Sequence, residues 1–386
     1  MHKKTLDSLL ILGAASTLFA LPAHLGSTDY KASSINNFDF NLSWENVQLE
    51  PTGGHEIVVD IYCNKKKFAP KVKLVSDTLI IESIPIRVQL FTFEKRDCTV
   101  IVKVPQEKGF DQIKIHTSSG DIKSSLSFDA ETIYLQASSG NIKIEEQISS
   151  TKEAVIKTSS GSSFVDFVHT NKLSVNASSG NITLGKADSQ SAQVETSSGD
   201  IHIDSGSAKN LYLSASSGDI TCNNFSAGES TIRTTSGNIK LKDFDATTFV
   251  SSASSGNITA RNLGCQSFDV STTSGTIGLE FTDAPASTSS VSSSSGTQFI
   301  SMPKGSRLSL HVSTSSGSFT NAFTNEKISS HVDYNNAING GGAKVSFTSS
   351  SASITLDIGN GVSSTRTAIE ASDSTDIPVV IFGDEK

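Results

Sequence analysis

Apolar and polar residues alternate with a period of two through most of this chain. The segment from Leu173 to Ala177 alternates before Gly180, and the segment from Ile182 to Leu184 continues the alternation after it. A period of two is typical of β-strands, whereas amphipathic helices repeat every 3.6 residues. Counted from the glycine, positions −7, −5, −3, +2 and +4 are predicted to face the core, and positions −6, −4 and +3 to face solvent.

The alternation belongs to a repeat with the consensus Ser-Ser-Gly-Asp/Asn-Ile. Its glycine recurs every 19 to 21 residues, and fixed periods of this length indicate stacked repeats around one continuous core. The glycines are Gly120, Gly140, Gly161, Gly180, Gly199, Gly218, Gly237, Gly256, Gly275, Gly296 and Gly317. The segment Ser351 to Ile354 resembles a twelfth copy without its glycine. We therefore expect an all-β, single-domain β-solenoid, or β-helix, of about 12 coils of 19–21 residues.

The repeated motif is predicted to form one corner of each coil. Glycine would supply a positive φ, and the Asp or Asn beside it would hydrogen-bond the turn backbone. The paired serines are expected to stack as hydroxyl ladders that satisfy backbone groups at the bend. The acidic and amide residues interpreted as turn formers are Asp121, Asn141, Asn181, Asp200, Asp219, Asn238 and Asn257.

Two further columns are predicted to fill the interior. An apolar residue recurs six to eight places after each glycine, where stacked rings could pack at a second corner. This column comprises Phe128, Phe167, Phe225, Phe244, Leu263, Phe281 and Met302. At position −3, Ala and Thr alternate along most of the stack, with a large residue at −7 beside Ala and a small one beside Thr. Because close-packed interiors tolerate little volume error, the packing unit is predicted to be two coils.

The flanks of the repeat divide the chain into four segments. Residues 1–23 have a basic start and an apolar run ending in small residues, which is typical of a secretory signal peptide. Residues 24–104 are expected to form a β-rich N-terminal cap, residues 105–358 the solenoid, and residues 359–386 a polar, disordered tail. The chain is therefore expected to be exported to the periplasm, the cell surface or the medium, with no transmembrane segment after signal removal.

Charge and cysteine content limit the partners. A net charge of −8 argues against nucleic acid, because affinity for phosphate backbones comes mainly from Lys and Arg. Cys63 and Cys98 lie on strand-like segments and could form a disulfide in an oxidising compartment. Cys222 and Cys265 lie two coils apart, a separation of roughly 10 Å at the strand spacing, so we expect them to be unpaired.

The repeated carboxylates suggest an alternative, a polysaccharide lyase or hydrolase built on a β-helix. Such enzymes need acidic residues that converge on one face. Here Asp121, Asp200 and Asp219 occupy corners, and Asn takes their place in intervening coils. His116, His202 and His311 fall on different coils and form no metal-ligand pattern. We therefore predict that the chain is not an enzyme and has no catalytic residue, metal site or cofactor.

The outward column at position −4 is the candidate binding face. Charged residues occur in it up to Arg233, and beyond that point the column holds only serine hydroxyls. The simpler interpretation is a solvated surface that avoids adjacent like charges. The functional interpretation is an uncharged strip that binds a glycan, a matrix component or an envelope protein. Its residues are Ser252, Ser271, Ser292 and Ser313.

A family resemblance agrees with this interpretation. The segment Val100 to Pro105, the segment Ile113 to Ile122 and the serial Ser-Gly-Asp/Asn-Ile turns resemble the bacterial "putative-adhesin" domain, domain of unknown function 4097. The resemblance implies an exported or envelope-associated β-solenoid and supplies no catalytic residues. This chain departs from the pattern where Thr276, Thr297 and Ser318 replace the Asp or Asn. Two functions stay open: a surface adhesion or ligand-binding module, and an envelope structural or stress-response scaffold without a specific ligand.

Overall fold

The computed structural model describes residues 22–85 and 95–359, and nearly all regular structure in those ranges is β. Two 3-10 helices, Ala32–Ser34 and Lys66–Phe68, are the helical elements of the described chain. The predicted signal peptide, except for its last two residues, and the predicted tail beyond residue 359 lie outside the described residues.

The strands fall into three groups along the chain. The N-terminal segment contains β1 (His24–Lys31), β2 (Asn37–Leu42), β3 (Asn46–Thr52), β4 (Glu56–Cys63), β5 (Lys71–Val75), β6 (Thr78–Glu82) and β7 (Cys98–Pro105). The regular coils contain β8 (Gly109–Thr117), β9 (Ile122–Ser124), β10 (Phe128–Ala137), β11 (Ile142–Thr158), β12 (Ser163–Ala177), β13 (Ile182–Thr196), β14 (Ile201–Ala215), β15 (Ile220–Thr234), β16 (Ile239–Ala253) and β17 (Ile258–Thr272). The C-terminal coils contain β18 (Ile277–Phe281), β19 (Ser289–Ser293), β20 (Gln298–Pro303), β21 (Leu308–Thr314), β22 (Phe319–Asn321), β23 (Glu326–Ile328), β24 (Val332–Ile338), β25 (Ala343–Ser349) and β26 (Ile354–Gly359).

The described chain is a β-solenoid of about ten turns, which confirms the predicted fold class. From β11 to β17 each strand pairs with the next in parallel, one coil per strand. A single long strand such as β14 passes around three sides of its coil and ends at the glycine corner. In the order in which the strand passes them, we call the three sides the second side (positions +2 to +4), the third side (about +7 to +9) and the first side (−7 to −3, counted from the next glycine). On β14 these sides bury, in turn, Ile201 and Ile203, then Ala208, then Leu211, Leu213 and Ala215.

The column at the second corner is confirmed in all but one member. The rings of Phe225 and Phe244 stack at 6.2 Å between centroids. In the coil of β12 the buried residue is Val168, and Phe167 is half-buried on the outside, where Lys186 Nζ lies 4.7 Å from its ring centroid. The predicted burial of Phe167 is wrong, because the strand register places Val168, at position +7, on the inside of this coil.

Positive φ occurs at the bend between the second and third sides. Asn224, Asp243 and Asn262, in three successive coils, have φ values of 45°, 52° and 53°. Asn and Asp enter this left-handed region more readily than other non-glycine residues, because their short polar side chains form local hydrogen bonds. Asn262 Nδ2 donates to Asp243 Oδ1 of the preceding coil at 2.7 Å. These three residues lie outside the repeated Ser-Ser-Gly motif, so the repeat pattern predicts no role for them.

Both ends of the stack depart from chain order. At the N-terminal end, β2 lies between β6 and β8, and β3 lies between β7 and β9. At the C-terminal end, β25 lies between β19 and β21, and β26 lies between β20 and β22. The degenerate twelfth copy around Ala352 therefore sits inside the stack, beneath the coil of Gly317. The strands of an inserted coil pair with a coil on each side, whereas those of a last coil pair on one side only. The inserted coils therefore add backbone hydrogen bonds near both ends of the solenoid.

Antiparallel strands flank these inserted coils. At the N-terminal end β5 pairs with β6, and β1 pairs with β4, in antiparallel orientation. At the C-terminal end β24 pairs with β21, and β23 pairs with β22, also antiparallel. An open edge of a parallel stack would attract further strands, so these antiparallel strands limit the edges that the coils expose.

Candidate functional site

The corner glycines are needed because successive coils approach each other closely. A Cβ built on Gly199 would lie 2.0 Å from the carbonyl oxygen of Gly180, and one on Gly218 would lie 1.7 Å from that of Gly199. The same contact recurs up the stack, and the positive-φ glycines of the described chain are other residues, among them Gly206 and Gly340. The prediction of positive φ at the corners was therefore wrong. Glycine is required there because the space for a side chain is taken by the carbonyl group of the coil before.

The Asp and Asn side chains beside these glycines hydrogen-bond across coils instead of within their own turns. Asp219 accepts the backbone N–H of Asn238 at 2.7 Å, and Asp200 accepts that of Asp219 at 2.8 Å. We call this continuous series the corner ladder; its acceptors are Asn46, Asp121, Asn141, Ser162, Asn181, Asp200, Asp219, Asn238 and Asn257. The prediction that each side chain bonds the backbone of its own turn is therefore wrong. Each side chain instead accepts a backbone N–H at the corner of the next coil.

The backbone also replaces the predicted serine hydroxyl ladders. The N–H of Ser179 donates to the carbonyl of Ser159 at 2.8 Å, and the N–H of Ser217 donates to that of Ser197 at 2.9 Å. Because these backbone groups pair with one another, the hydroxyls are not needed at the bend, and all four side chains are exposed. The serines form a ridge of small polar groups along the outside of the corner.

Threonines at position −3 add a second hydrogen-bond network inside the corner. Thr196 Oγ1 accepts the N–H of Gly199 at 3.1 Å and donates to the carbonyl of Gly180 at 3.3 Å. Thr234 and Thr272 repeat both bonds two and four coils further on. The Ala coils lie between them, so from Thr196 to Thr272 every second corner is linked by a buried hydroxyl. The two-coil unit thus has a hydrogen-bonding basis in addition to the volume compensation expected from the sequence.

The corner carboxylates are engaged in structural contacts. The N–H of Asn238, together with the ammonium of Lys240 3.0 Å away, holds the pKa of Asp219 below its ordinary value. Asp121 and Asp200 likewise accept backbone N–H groups through Oδ1. A general acid would need a pKa raised towards neutrality, and Asp219 is shifted in the opposite direction.

The predicted binding strip on the first side contains an additional residue. Ser252 pairs with Ser271, and Ser271 with Ser292, but Thr348 of the inserted coil lies between Ser292 and Ser313. All five side chains are partly exposed, and at the strand spacing the column extends over roughly 19 Å. We call these five residues the hydroxyl strip. Arg233 borders it at one end and Asp333 at the other.

A shallow groove of about 540 Å³ lies beside the hydroxyl strip. Its rim includes His311, Asn335, Asn336 and Lys344, which supply ring nitrogen, amide and ammonium groups. His311 Nδ1 lies 3.0 Å from Asn335 Oδ1, so the two side chains hold each other in place across β21 and β24. This arrangement offers hydrogen-bond donors and acceptors next to uncharged hydroxyls.

The cysteines occupy two environments. Cys63 and Cys98, paired opposite each other on β4 and β7, are joined by a disulfide. Cys222 and Cys265 are buried on β15 and β17, and burial raises the pKa of the Cys222 thiol. Across residues 22–85 and 95–359, no three His, Cys, Asp or Glu side chains come together in a way that could hold a metal ion. The same ranges contain no helix long and apolar enough to cross a membrane.

Three contributors to these surfaces were missed in the sequence. Asn46 starts the corner ladder by accepting the N–H of Asp121 at 2.9 Å, although it belongs to the N-terminal segment. Ser162 replaces Asn in one coil and keeps the ladder continuous through its hydroxyl. Thr348 joins the hydroxyl strip from a coil that is inserted out of chain order. Ser162 could have been found from its position after Gly161, whereas Asn46 and Thr348 carry no signal in the repeat pattern.

Comparison with solved structures gives neighbours of low identity. A "putative adhesin" from Parabacteroides merdae is 13% identical, covering 71% of this chain and 95% of that one, with a TM-score of 0.37. A "putative adhesin" from Bacteroides fragilis is 18% identical, with coverages of 63% and 95% and a TM-score of 0.33. A "putative lipid binding protein" from Parabacteroides distasonis is 14% identical, with coverages of 62% and 96% and a TM-score of 0.37.

Sequence comparison assigns the family. No curated protein matches the chain. The family model described as Toastrack DUF4097 matches residues 35–211 and residues 193–357. The two matches together span both inserted coils and all the regular coils between them. The chain therefore belongs to the Toastrack DUF4097 family.

Proposed function

We propose that this protein is an exported, non-catalytic binding module, and that the hydroxyl strip with its adjoining groove binds a polar, uncharged polymer such as a glycan. The observation that carries the proposal is the run of five hydroxyls at the spacing of β-strands, between Arg233 and Asp333. A regular series of donors and acceptors is suited to a ligand that repeats along its length.

The groove supports this assignment through its chemistry. Ser290, in the outward column next to the strip, donates to Asp269 Oδ1 at 2.6 Å, and its neighbour Ser346 in the inserted coil lines the groove with a partly exposed hydroxyl. His311 and Asn335 add polar groups that are already held in position. Pre-positioned polar groups lose little entropy on binding, which favours hydrogen-bonded recognition of a neutral ligand.

The corner carboxylates support a role without catalysis. Asp121, Asp200 and Asp219 are used in the corner ladder, where Oδ1 of each carboxylate accepts a backbone N–H of the next coil. Glycoside hydrolysis needs two carboxyl groups facing one substrate, one of them with a raised pKa. Asp200 and Asp219 lie in adjacent coils, but Oδ1 of each accepts a backbone N–H, and the pKa of Asp219 is lowered, the opposite of the shift that a general acid needs.

The experiment is binding of the purified chain to a glycan and matrix array, with a variant that carries Ser271→Lys and Ser292→Lys. Each long cationic side chain would project over the strip, so binding should fall at least tenfold. A chain with Thr183→Lys and Thr221→Lys, both on the second side and away from the strip, is the matched control and should bind as the unaltered chain does. Equal binding by the double variant and the control would remove the hydroxyl strip from consideration.

The alternative, an envelope scaffold without an extracellular ligand, predicts a different result on cells. A binding module displayed at the surface should be cleaved when protease is added to intact cells. A scaffold that functions inside the envelope should be protected until the cells are permeabilised. Protection on intact cells, together with no binding on the array, would favour the scaffold.

A further inference from the structure

A second shallow groove on the first side surrounds Tyr212, near the middle of the stack. Its volume is about 510 Å³, and it crosses β13, β14 and β15. Tyr212 is an outward residue at position −6 of its coil and is half-buried. The outward residues that line the groove with it are Ser191, Gln193, Glu195, Asn210, Glu229 and Thr231. The groove therefore combines one aromatic ring with hydroxyl, amide and carboxylate groups.

The strand register determines how these groups surround the ring. Tyr212 pairs with Gln193 on β13 and with Thr231 on β15, so an amide and a hydroxyl flank it across the sheet. Glu195 and Glu229 lie at opposite corners of the groove, one on β13 and one on β15. The spacing within and between strands places the Cα of each roughly 8 Å from that of Tyr212. The centre of the groove is thus uncharged, and the carboxylates stand at its two ends.

The polar side chains of this groove are available to a ligand. Within the part of the chain that the structure describes, the side chains of Gln193, Asn210 and Tyr212 form no hydrogen bond. In the same described ranges, Glu195 and Glu229 form neither a side-chain hydrogen bond nor an ion pair. A ligand that pairs with these groups would therefore break no contact within the protein.

Tyr134 shows that this availability is specific to Tyr212. Tyr134 occupies the same outward column on β10, but its hydroxyl donates to Gln136 Oε1, and Lys157 Nζ lies 5.6 Å from its ring centroid. Both the hydroxyl and the ring of Tyr134 are thus engaged within the protein. Tyr212 has neither contact among the described residues, so its exposed ring surface can receive a ligand.

The chemistry of the groove fits a sugar ring. The C–H groups on one face of a pyranose can pack on an aromatic face, which carries partial negative charge. Amides both donate and accept hydrogen bonds, and carboxylates accept them, so Gln193, Asn210 and the two glutamates can pair with the hydroxyls at the edge of the ring. Glu195 and Glu229 disfavour an anionic sugar. Arg233, two residues beyond Thr231, offsets one of these two charges and favours a neutral ligand over a cationic one.

We propose that the groove around Tyr212 binds one sugar ring of a neutral glycan, which stacks on Tyr212 and hydrogen-bonds Gln193 and Asn210. The proposal rests on the proposed function for the class of ligand, but its site is separate from the hydroxyl strip. Tyr212 lies two coils from Ser252, the first residue of the strip, which is roughly 10 Å at the strand spacing. One polymer along the first side can therefore occupy both sites.

The first measurement is nuclear magnetic resonance of the unaltered chain with labelled tyrosine rings, to which cellobiose, laminaribiose or di-N-acetylchitobiose is added. A disaccharide is too short to extend from Tyr212 to Ser271, three coils away. The signals of Tyr212, assigned with Tyr212→Phe, should shift with at least one of these sugars, and those of Tyr134 should not. Spermidine and digalacturonate, the cationic and anionic comparisons, should shift neither at the same concentration.

The second measurement follows binding of the same disaccharide by saturation transfer to the sugar. Tyr212→Ala should weaken binding at least about tenfold, because a tyrosine at the centre of a contact commonly dominates its affinity. Tyr212→Phe keeps the ring and should bind within about threefold of the unaltered chain. Tyr134→Ala is the matched control and should leave the affinity unchanged, as should the chain with Ser271→Lys and Ser292→Lys.

The proposal is overturned if no neutral disaccharide shifts Tyr212, if Tyr212→Ala binds as well as Tyr134→Ala, or if spermidine shifts Tyr212 at lower concentration than the sugars. Failure of this site and failure of the hydroxyl strip give different results. Array binding that is lost in the strip variant, without any response at Tyr212, would refute this site alone. A sugar-dependent response at Tyr212, with array binding unaffected in the strip variant, would support this site and refute the strip.

Discussion

The carbonyl oxygen of Gly180 lies 2.0 Å from the position that a Cβ on Gly199 would occupy. Real Cβ atoms do not approach a carbonyl oxygen so closely, so the two glycines are linked through space across one coil of the stack. The carbonyl belongs to the backbone of a paired coil and cannot turn aside as a flexible side chain could. The spacing of the whole solenoid therefore depends on the absence of a side chain at this corner.

Gly199→Ala should destabilise the protein strongly. The methyl group would force the coils of Gly180 and Gly199 apart and disturb the corner ladder on both sides, at a cost of at least about 3 kcal/mol. Gly278→Ala is the matched control, because a Cβ there meets no atom within 4 Å, and its effect should stay within about 0.5 kcal/mol. Urea unfolding followed by far-UV circular dichroism measures both. Equal midpoints for the two variants would contradict the close-approach explanation.

The sequence was sufficient to locate the corner but not to explain it. The period of Gly180, Gly199 and their equivalents defines the coil length, and alternation around them defines which residues are buried. The reason that glycine is required, however, is the short distance to the carbonyl group of the preceding coil. A local sequence pattern does not contain that distance. The positive φ expected at the glycines occurs at Asn224, Asp243 and Asn262 instead.

The candidate site could be predicted only in part for a related reason. Ser252, Ser271 and Ser292 follow one another in chain order, and the repeat placed them in adjacent coils. Ser313 was placed next to Ser292, but Thr348 lies between them. The order of the strands at the ends of the stack depends on pairing between segments far apart in sequence and on which open strand edges need a partner. The repeat register contains no information about these two factors.

Substitutions at Asp219 should separate the corner ladder from its charge. Asp219→Asn keeps an Oδ1 acceptor for the N–H of Asn238, as Asn does in neighbouring coils, and should cost less than about 1 kcal/mol at pH 7. Asp219→Ala removes the acceptor, leaves that N–H unpaired in a half-buried position and should cost about 1–3 kcal/mol. Chemical denaturation at constant pH gives both values, and an alanine variant as stable as the asparagine variant would argue against the ladder.

The difference in stability between the unaltered chain and Asp219→Asn should depend on pH. The pKa of Asp219 is lowered in the folded state, chiefly by the N–H of Asn238 and also by Lys240. A lowered pKa means that the carboxylate stabilises the fold at pH values above its unfolded pKa of about 4, and that this contribution is lost as the pH falls through the folded value. The stability difference between the unaltered chain and Asp219→Asn should therefore be largest near neutral pH and disappear in acid. A difference that grows on acidification would contradict the assignment.

The two-coil packing unit predicts unequal effects of small changes at position −3. Ala177 faces Thr158 and Thr196 in the adjacent coils, and Leu173 already occupies the space at −7. Ala177→Thr should destabilise by overpacking, on the order of 1–3 kcal/mol, and by more than Ala177→Ser. If the threonine variant were as stable as the serine variant, large and small residues would not compensate each other within the coil.

Thr196 provides the complementary test of the hydrogen bonds. Thr196→Val keeps the shape of the side chain but removes the hydroxyl that links Gly199 N–H to the Gly180 carbonyl. The loss should be about 1–3 kcal/mol, because two buried backbone groups lose a partner. Thr183→Val, on an outward position, is the control and should change the free energy of unfolding little. Comparable losses in the two variants would show that the buried hydroxyl has no special role.

The inserted coil at the C-terminal end predicts the behaviour of a truncated chain. A chain that ends at Gly342 lacks β25 and β26, and with them the partners of β19 and β20 on one side and of β21 and β22 on the other. Val345, Phe347, Ile354 and Leu356 are all buried, and each contributes about 1.5–3 kcal/mol of apolar burial. We therefore expect residues 306–342 to detach and to be cleaved rapidly by protease, while the coils up to β17 stay resistant.

A chain that ends at Pro303 is the control for this truncation, since it also lacks the inserted coil but has no segment left to detach. Both truncated chains should give the same protease-resistant core and similar unfolding midpoints, although one is longer by 39 residues. Simple stacking in chain order predicts the opposite result, because β21 and β22 would then rest directly on β19 and β20 and remain protected. Protection of residues 306–342 in the chain that ends at Gly342 would therefore show that the inserted coil is not required to hold the C-terminal strands in place.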